Sequence, residues 1–121
     1  MSKQHGYAAE QFVANHLEKE GFVLLAKNYV SRYGEIDIVA HKDETLLFIE
    51  VKQRTKKYFD LSELVTTSKQ KRIIATAKYF LLNNDYSDKI CRFDVALLEG
   101  ALPDPKLTYI PNAFTEQDWY I

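Results

Sequence analysis

The chain has 121 residues, 46% of them hydrophobic and 27% charged, with a formal net charge of −1. That is the composition of one globular domain, residues 1–121, with enough apolar side chains for a real core. It excludes low-complexity and repeat architectures, and its global charge does not mark a nucleic-acid binder. No apolar run is long enough to span a bilayer and no signal peptide is evident, so no membrane is expected. Cys91 stands alone, which rules out an intramolecular disulfide and suits a reducing, cytoplasmic setting.

Residues 3–20, KQHGYAAEQFVANHLEKE, carry a helical period. Ala8, Ala9, Phe12, Val13 and His16 fall within about a third of the circumference, and Gly21 is a suitable stop. Glu10 lies at the border of this face, beside Val13 and Leu17. Its carboxylate either snorkels to solvent, the commoner fate, or leans toward a site where helix meets sheet. His5, His16 and His41 show no metal-ligand spacing. Phe22 to Val30 reads as a first strand, closed by a turn at Ser31-Arg32-Tyr33-Gly34.

Gly34 to Arg54, GEIDIVAHKDETLLFIEVKQR, reads as two strands folded back on one another, with the turn in the polar run His41 to Thr45. If Asp43-Glu44 is a two-residue loop, or the loop has four residues, Lys42 pairs with Thr45, Asp37 lies opposite Glu50, and Glu35 lies opposite Lys52; an odd-length loop shifts this register. Opposed residues of an antiparallel pair share a face, with side chains ~4.5–5.5 Å apart, and two opposed carboxylates repel. One account is a solvated strand face. The other is a cation between Asp37 and Glu50: Lys52 one pleat along, and a hard divalent metal that binds through carboxylates, waters and phosphate oxygens. The second strand is apolar on both faces, which marks Glu50 and Lys52 as out of place unless they have a function.

Gln53 to Thr67 reads as a polar loop with an apolar middle at Tyr58-Phe59, a short helical turn near Ser62 to Val65, and the length of a flap. A second helix is expected from Thr67 to Asn83, capped by Thr67 or Ser68. Its stripe is Ile73, Ile74, Ala77, Phe80 and Leu81. Gln70 falls within the stripe; it either reaches the carboxylate patch or belongs to a frayed helix start. Strands at Ile90 to Leu98 and Leu107 to Ile110 follow, joined through Gly100 and Pro103-Asp104-Pro105, and the tail ends in aromatics. The order is α-β-β-β-α-β-β: an α/β (α+β) domain with a mixed sheet of about five strands and helices packed on it. Charge is uneven along this order. Residues 52–78 hold eight basic and two acidic side chains, a balance of +6, while the chain from Asp94 onward carries −4.

An acid–acid–lysine set beside basic residues is the equipment of metal-dependent phosphodiester hydrolysis. Asp37 followed by Glu50-Val51-Lys52 resembles the (P)D-(D/E)-x-K signature of restriction-endonuclease-like nucleases, with Ile36 in place of the leading proline. More closely, the chain is similar to the YraN-like family of predicted endonucleases. That likeness runs through Gly6, Glu10, Asn28, Gly34-Glu35-Ile36-Asp37, Phe48 to Lys52, Arg54, Lys69-Gln70, Arg72, Arg92-Phe93-Asp94 and Asn112-Ala113-Phe114. The family is in turn similar to archaeal Holliday-junction resolvases.

The resemblance implies a restriction-endonuclease-like core and an endonuclease acting on DNA, including branched or repair intermediates, with Mg²⁺ or Mn²⁺ as cofactor. It implies Glu10, Asp37, Glu50 and the Val51 carbonyl as metal ligands, Lys52 as the catalytic lysine, and Gln70 as a phosphate-contacting or supporting residue. Arg54, Lys56, Lys57, Lys69, Lys71 and Arg72 are the expected nucleic-acid surface, and a homodimer is the expected assembly. The net charge of −1 departs from the strongly basic resolvases. Arg92 and Asp94 share a strand face and are read as a structural pair. The competing readings are a nucleic-acid-binding module that needs a protein partner to cut, and an adaptor domain whose contact surface is the tail from Trp119 to Ile121.

Overall fold

A computed structural model of the chain describes residues 3–54, 65–86 and 88–116. The expected flap, Lys56, Lys57 and the final aromatic tail lie outside the described residues. The elements are α1 (Lys3–Lys19), β1 (Val23–Ser31), β2 (Gly34–Lys42), β3 (Thr45–Arg54), α2 (Thr67–Asn83), β4 (Ile90–Glu99) and β5 (Lys106–Phe114). The sheet order is β1-β2-β3-β4-β5. All neighbours are antiparallel except β3 and β4, which are parallel and joined by way of α2.

The helices cover opposite faces. Ile73, Ile74, Ala77 and Phe80 of α2 pack with Val39, Leu46, Phe48, Val95 and Leu97. Ala9, Val13, Ala14 and Leu17 of α1 pack with Ile38, Ala40, Leu47, Ile49, Val51, Ala96 and Leu98. Residues Leu46 to Val51 of β3 are all buried, as the two-sided apolar pattern requires. The buried face of α1 is turned from the expected one. Ala8 is exposed and Phe12 and His16 are only partly buried, while Glu10 is buried with Ala9, Val13, Ala14 and Leu17. The small side chains of Ala9 and Ala14 allow α1 to lie close to the sheet on that side.

The β2–β3 turn and register match the expectation from Lys42↔Thr45 to Ile38↔Ile49. There the ladder ends, so Asp37 and Glu50 are not a paired rung, nor are Glu35 and Lys52; Glu35 keeps its pairing with Val30 on the β1 side. Three further boundaries differ. β1 begins at Val23 rather than Phe22, and its turn is confined to Arg32-Tyr33. The cap of α2 is Thr66, whose side chain accepts from Lys69 N at 3.2 Å; Thr66, Thr67 and Ser68 are chemically equivalent caps, so the sequence leaves the choice open. β5 extends to Phe114, which is buried in the core.

Two local devices seat the ends of these elements. Gly34 lies against α2, where a Cβ would stand 3.2 Å from Arg72 Cβ. Beside it, the Ser31 and Thr76 hydroxyls are 2.9 Å apart, and Thr76 Oγ1 also donates to Arg72 O at 2.9 Å. At the other end, β5 bulges between Phe114 and Ile110, where Asn112 takes a φ of 52°. Asp94, fully buried, fills the bulge. It accepts from Asn112 N (2.8 Å), Tyr109 Oη (2.6 Å) and Arg92 Nε (2.9 Å) and Nη2 (3.0 Å). The Arg92–Asp94 pair is thus structural, as expected from their shared face. Removing Asp94 leaves a guanidinium, a phenol and an amide without their acceptor. Asp94→Ala is expected to cost about 3 kcal/mol in urea or thermal unfolding, whereas Asp94→Asn, which keeps one acceptor oxygen, costs less.

Candidate active site

The site grows out of a break in β2. Along β3 the two core faces alternate residue by residue. Along β2, Ile38 and Ala40 face α1 and Val39 faces α2, but Ile36 also joins the α2 cluster. The alternation therefore fails at Asp37. The β1–β2 register continues unshifted past this level, from Lys27↔Ile38 to Tyr29↔Ile36, but Asn28 between them adopts a φ of 54°. β2 leaves β3 here, and the Asp37 carboxylate enters the fork. Its Oδ2 accepts from Val51 N at 2.8 Å, standing where a strand carbonyl would otherwise sit.

A cavity of about 360 Å³ opens at this fork, lined by Gly6, Ala9, Glu10, Asp37, Glu50, Val51, Lys52, Gln53, Arg54 and Lys69. A smaller one of about 240 Å³ adjoins it, lined by Gly34, Glu35, Asp37, Glu50, Lys69, Arg72 and Ile73. Asp37, Glu50 and Lys69 line both. The first turns of α1 and α2, which lie on opposite faces of the sheet, converge on its forked end.

The charges in the cleft are crowded. Burial, then the charge and hydrogen bond of Glu50, push the Asp37 carboxyl from 3.8 up to about 7, against the opposing pull of Val51 N–H and Lys69. Glu10 is pushed up to about 6 by burial and by Asp37, with the Asn28 side chain holding it back. Glu10 Oε1 is buried without a hydrogen-bond partner. Glu50, itself buried, has Lys69 Nζ at 3.1 Å and Lys52 Nζ at 3.9 Å from the same oxygen. Burial and the neighbouring Lys69 pull the Lys52 ammonium down to about 8 despite Glu50. Burial also acts to lower Lys69, but the attraction of Glu50 and its hydrogen bonds outweigh it and hold that ammonium above its ordinary value.

The structure thus brings Glu10, Asp37, Glu50, Val51, Lys52, Arg54 and Lys69 around one cleft. Gln70 lines neither cavity; its Nε2 donates to Val65 O at 3.0 Å, tying the start of α2 to the preceding segment. Arg72 lines the smaller cavity, and Lys71 is exposed and lines neither. Sequence reasoning missed that Lys69, assigned to the DNA surface, closes on Glu50; its place one turn into α2, beside the cap, is the signal that would have suggested it.

Among the described residues, no three carboxylate, imidazole or thiolate groups stand as a finished metal shell. The donor chemistry nevertheless fits a hard divalent cation. Two adjoining carboxylates, one of them held half-protonated near pH 7, and a third with an unpartnered buried oxygen all gain from a positive charge, with waters and phosphate oxygens completing the shell.

A stability prediction follows from Asp37. Its folded-state value lies above the ordinary one, so its contribution to stability is full below about pH 4 and is lost as the pH rises through about 7. Asp37→Asn keeps an acceptor for Val51 N but cannot ionise. It is expected to stabilise the metal-free protein at pH 8 by on the order of 1–3 kcal/mol, one pKa step being worth about 1.4 kcal/mol, and to change little at pH 4. Thermal unfolding at the two pH values measures this; a variant less stable than wild type at pH 8 would contradict it.

The model of the family described as "Uncharacterised protein family UPF0102" matches residues 9–98. A UPF0102 protein of Lachnoclostridium phytofermentans is 46% identical over 115 residues, covering 93% of each chain. One of Nitrosomonas europaea is 38% identical over 112 residues, covering 92% of this chain and 93% of its own. Among solved structures, Archaeoglobus fulgidus Hjc, a Holliday junction resolvase from an archaeal hyperthermophile, superposes with a TM-score of 0.54 and 27% identity, over 84% of this chain and 72% of that one. The fold is therefore the resolvase-like α+β nuclease fold of the restriction-endonuclease-like kind, and the chain belongs to the UPF0102 (YraN-like) family.

Proposed function

We propose that this protein is a divalent-metal-dependent endonuclease that hydrolyses phosphodiester bonds of DNA, with branched or partly single-stranded DNA as its substrate class. The observation that carries the reading is the convergence of Asp37, Glu50 and Lys52 in one cleft at the forked end of the sheet, on a fold shared with a resolvase. Asp37, Glu50, the Val51 carbonyl and Glu10 are the groups that would hold Mg²⁺ or Mn²⁺. When bound, such a cation polarises the phosphoryl oxygens and makes water a nucleophile near neutral pH.

The chain's own groups have distinct tasks. The Val51 N–H fixes the Asp37 carboxylate in one orientation. Two ammonium groups beside Glu50 Oε1, of Lys69 and Lys52, favour its facing the cleft. Lys52 Nζ, pulled down to about 8, is poised to exchange a proton at neutral pH, with the attacking water or with the departing oxygen. Lys69 and Arg72 supply fixed positive charge along the adjoining cavity for the phosphate backbone. Arg54 at the end of β3 extends that charge. A homodimer, which would present two such clefts to two strands, goes with this reading.

Supercoiled, linear, flapped and four-way DNA incubated with Mg²⁺, Mn²⁺ or EDTA test it. Wild type is expected to cut in the presence of metal and not in EDTA. Glu50→Gln and Lys52→Ala are each expected to lower the rate by at least about a hundredfold with unfolding midpoints close to wild type. Retained cutting in either variant would refute the assignment, and salt-sensitive binding without cutting would favour a binding module instead.

A further inference from the structure

Next to the smaller cavity, on the α2 side, lies a feature that the cleavage chemistry does not use. The β1–β2 turn places Arg32 and Tyr33 at its tip, both exposed, Tyr33 at 41%. Its two residues are not loosely held. Tyr33 N donates to Ser31 Oγ at 3.0 Å, Ser31 Oγ is bonded to buried Thr76 of α2, and Gly34 on the other side rests against Arg72. Arg32 lies over the Tyr33 ring with its guanidinium carbon 4.9 Å from the centroid, and its Nη2 donates to Tyr33 Oη at 2.8 Å. Tyr79, 42% exposed, follows Thr76 by about one turn of α2, and its ring lies 6.5 Å from Tyr29.

The surface therefore sets exposed rings beside a guanidinium group and adjoins Gly34 and Arg72, which line the smaller cavity together with Asp37 and Glu50. Exposed aromatic faces beside fixed cations are the arrangement that holds unpaired nucleotides: each base can stack on a ring while the backbone meets a positive charge. Stacked bases within a duplex offer no such faces. The turn is anchored to α2 and to the strand that carries Asp37, so its distance from the cleft is set by the fold.

We propose that Arg32, Tyr33 and Tyr79, continued by Arg72, form a stacking surface for an unpaired DNA strand entering the cleft. This rests on the nuclease reading and adds to it a preference for junctions with a free single-stranded arm. Tyr33 stacks a base, Arg32 orients the ring and neutralises a phosphate, and Arg72 leads the backbone to the carboxylates. These are binding residues and take no part in bond breaking.

The test is fluorescence anisotropy in EDTA, with a splayed-arm DNA carrying dT tails and a blunt duplex of the same paired sequence. Wild type is expected to bind the splayed-arm DNA more tightly. Tyr33→Leu and Arg32→Ala are each expected to weaken that binding by about tenfold, within the range for loss of one stacked base, and to change duplex binding less than twofold. Tyr33→Phe, which keeps the ring, is expected to behave as wild type. Equal affinity of wild type for the two DNAs, unchanged binding in both Leu and Ala variants, or equal loss on both DNAs would overturn the proposal. Metal-dependent cutting, measured separately with wild type, decides the nuclease reading independently: cutting with none of the expected binding differences would sink the stacking surface alone.

Discussion

The hydrogen bond from Val51 N to the Asp37 carboxylate is the contact on which the site depends. A β-strand normally fills such a position with a carbonyl of its neighbour. Here the neighbour turns away at Ile38↔Ile49 and a side chain takes over. That substitution keeps a buried N–H satisfied while letting β2 and β3 separate. The gap between them becomes the cavity, and the next residues of β3, Glu50 and Lys52, acquire space in which to face a ligand. Without a short acceptor at position 37, the fork would either close into a ladder or leave an amide unpaired.

The same arrangement crowds charge. Three acidic groups, Glu10, Asp37 and Glu50, share a cleft with Lys52 and Lys69. Burial, and then the repulsion between neighbouring carboxylates, make Asp37 and Glu10 hold their protons toward neutral pH. Such an assembly is costly in the metal-free protein and gains from any cation or from the charge redistribution that a bound phosphate brings. Local conflict of this kind marks functional sites, where activity and stability pull apart. The surrounding core is its opposite: Phe48, stacked on Phe93 and edge-on to Phe80, lies in a conventional two-faced packing.

Much of this was legible in the residues. Alternating apolar positions located the β2–β3 hairpin, its Asp43-Glu44 turn and its register through five rungs. The same reasoning identified a strand buried on both faces and, within it, the anomalous Glu50 and Lys52. What could not be read was the departure from regularity. Alternation assumes an unbroken pleat, so it carried Asp37 onto a rung with Glu50 and Glu35 onto one with Lys52. The bulge at Asn112 likewise hid the full length of β5, because Pro111 and Asn112 break the strand pattern that a continuous ladder would show. On α1, the wheel placed Glu10 at a border; only the small side chains of Ala9 and Ala14, set against the sheet, decide that the border is buried. Gln70, a polar residue in an apolar stripe, donates to the nearby Val65 carbonyl, a contact that neighbouring backbone geometry and not side-chain pattern decides.

The fork between β2 and β3 has to be a cation site for the residues in it to act as proposed. Isothermal titration of Mn²⁺ into the protein near pH 6.5, in two buffers of different ionisation enthalpy, tests that most directly. A carboxyl held near 7 is largely protonated at that pH and must release its proton to a bound metal. Saturable binding is expected, with release of up to about one proton per site that is lost in Asp37→Asn. No saturable binding, or binding that releases no proton and is unchanged in Asp37→Asn, would contradict a cation site at the fork.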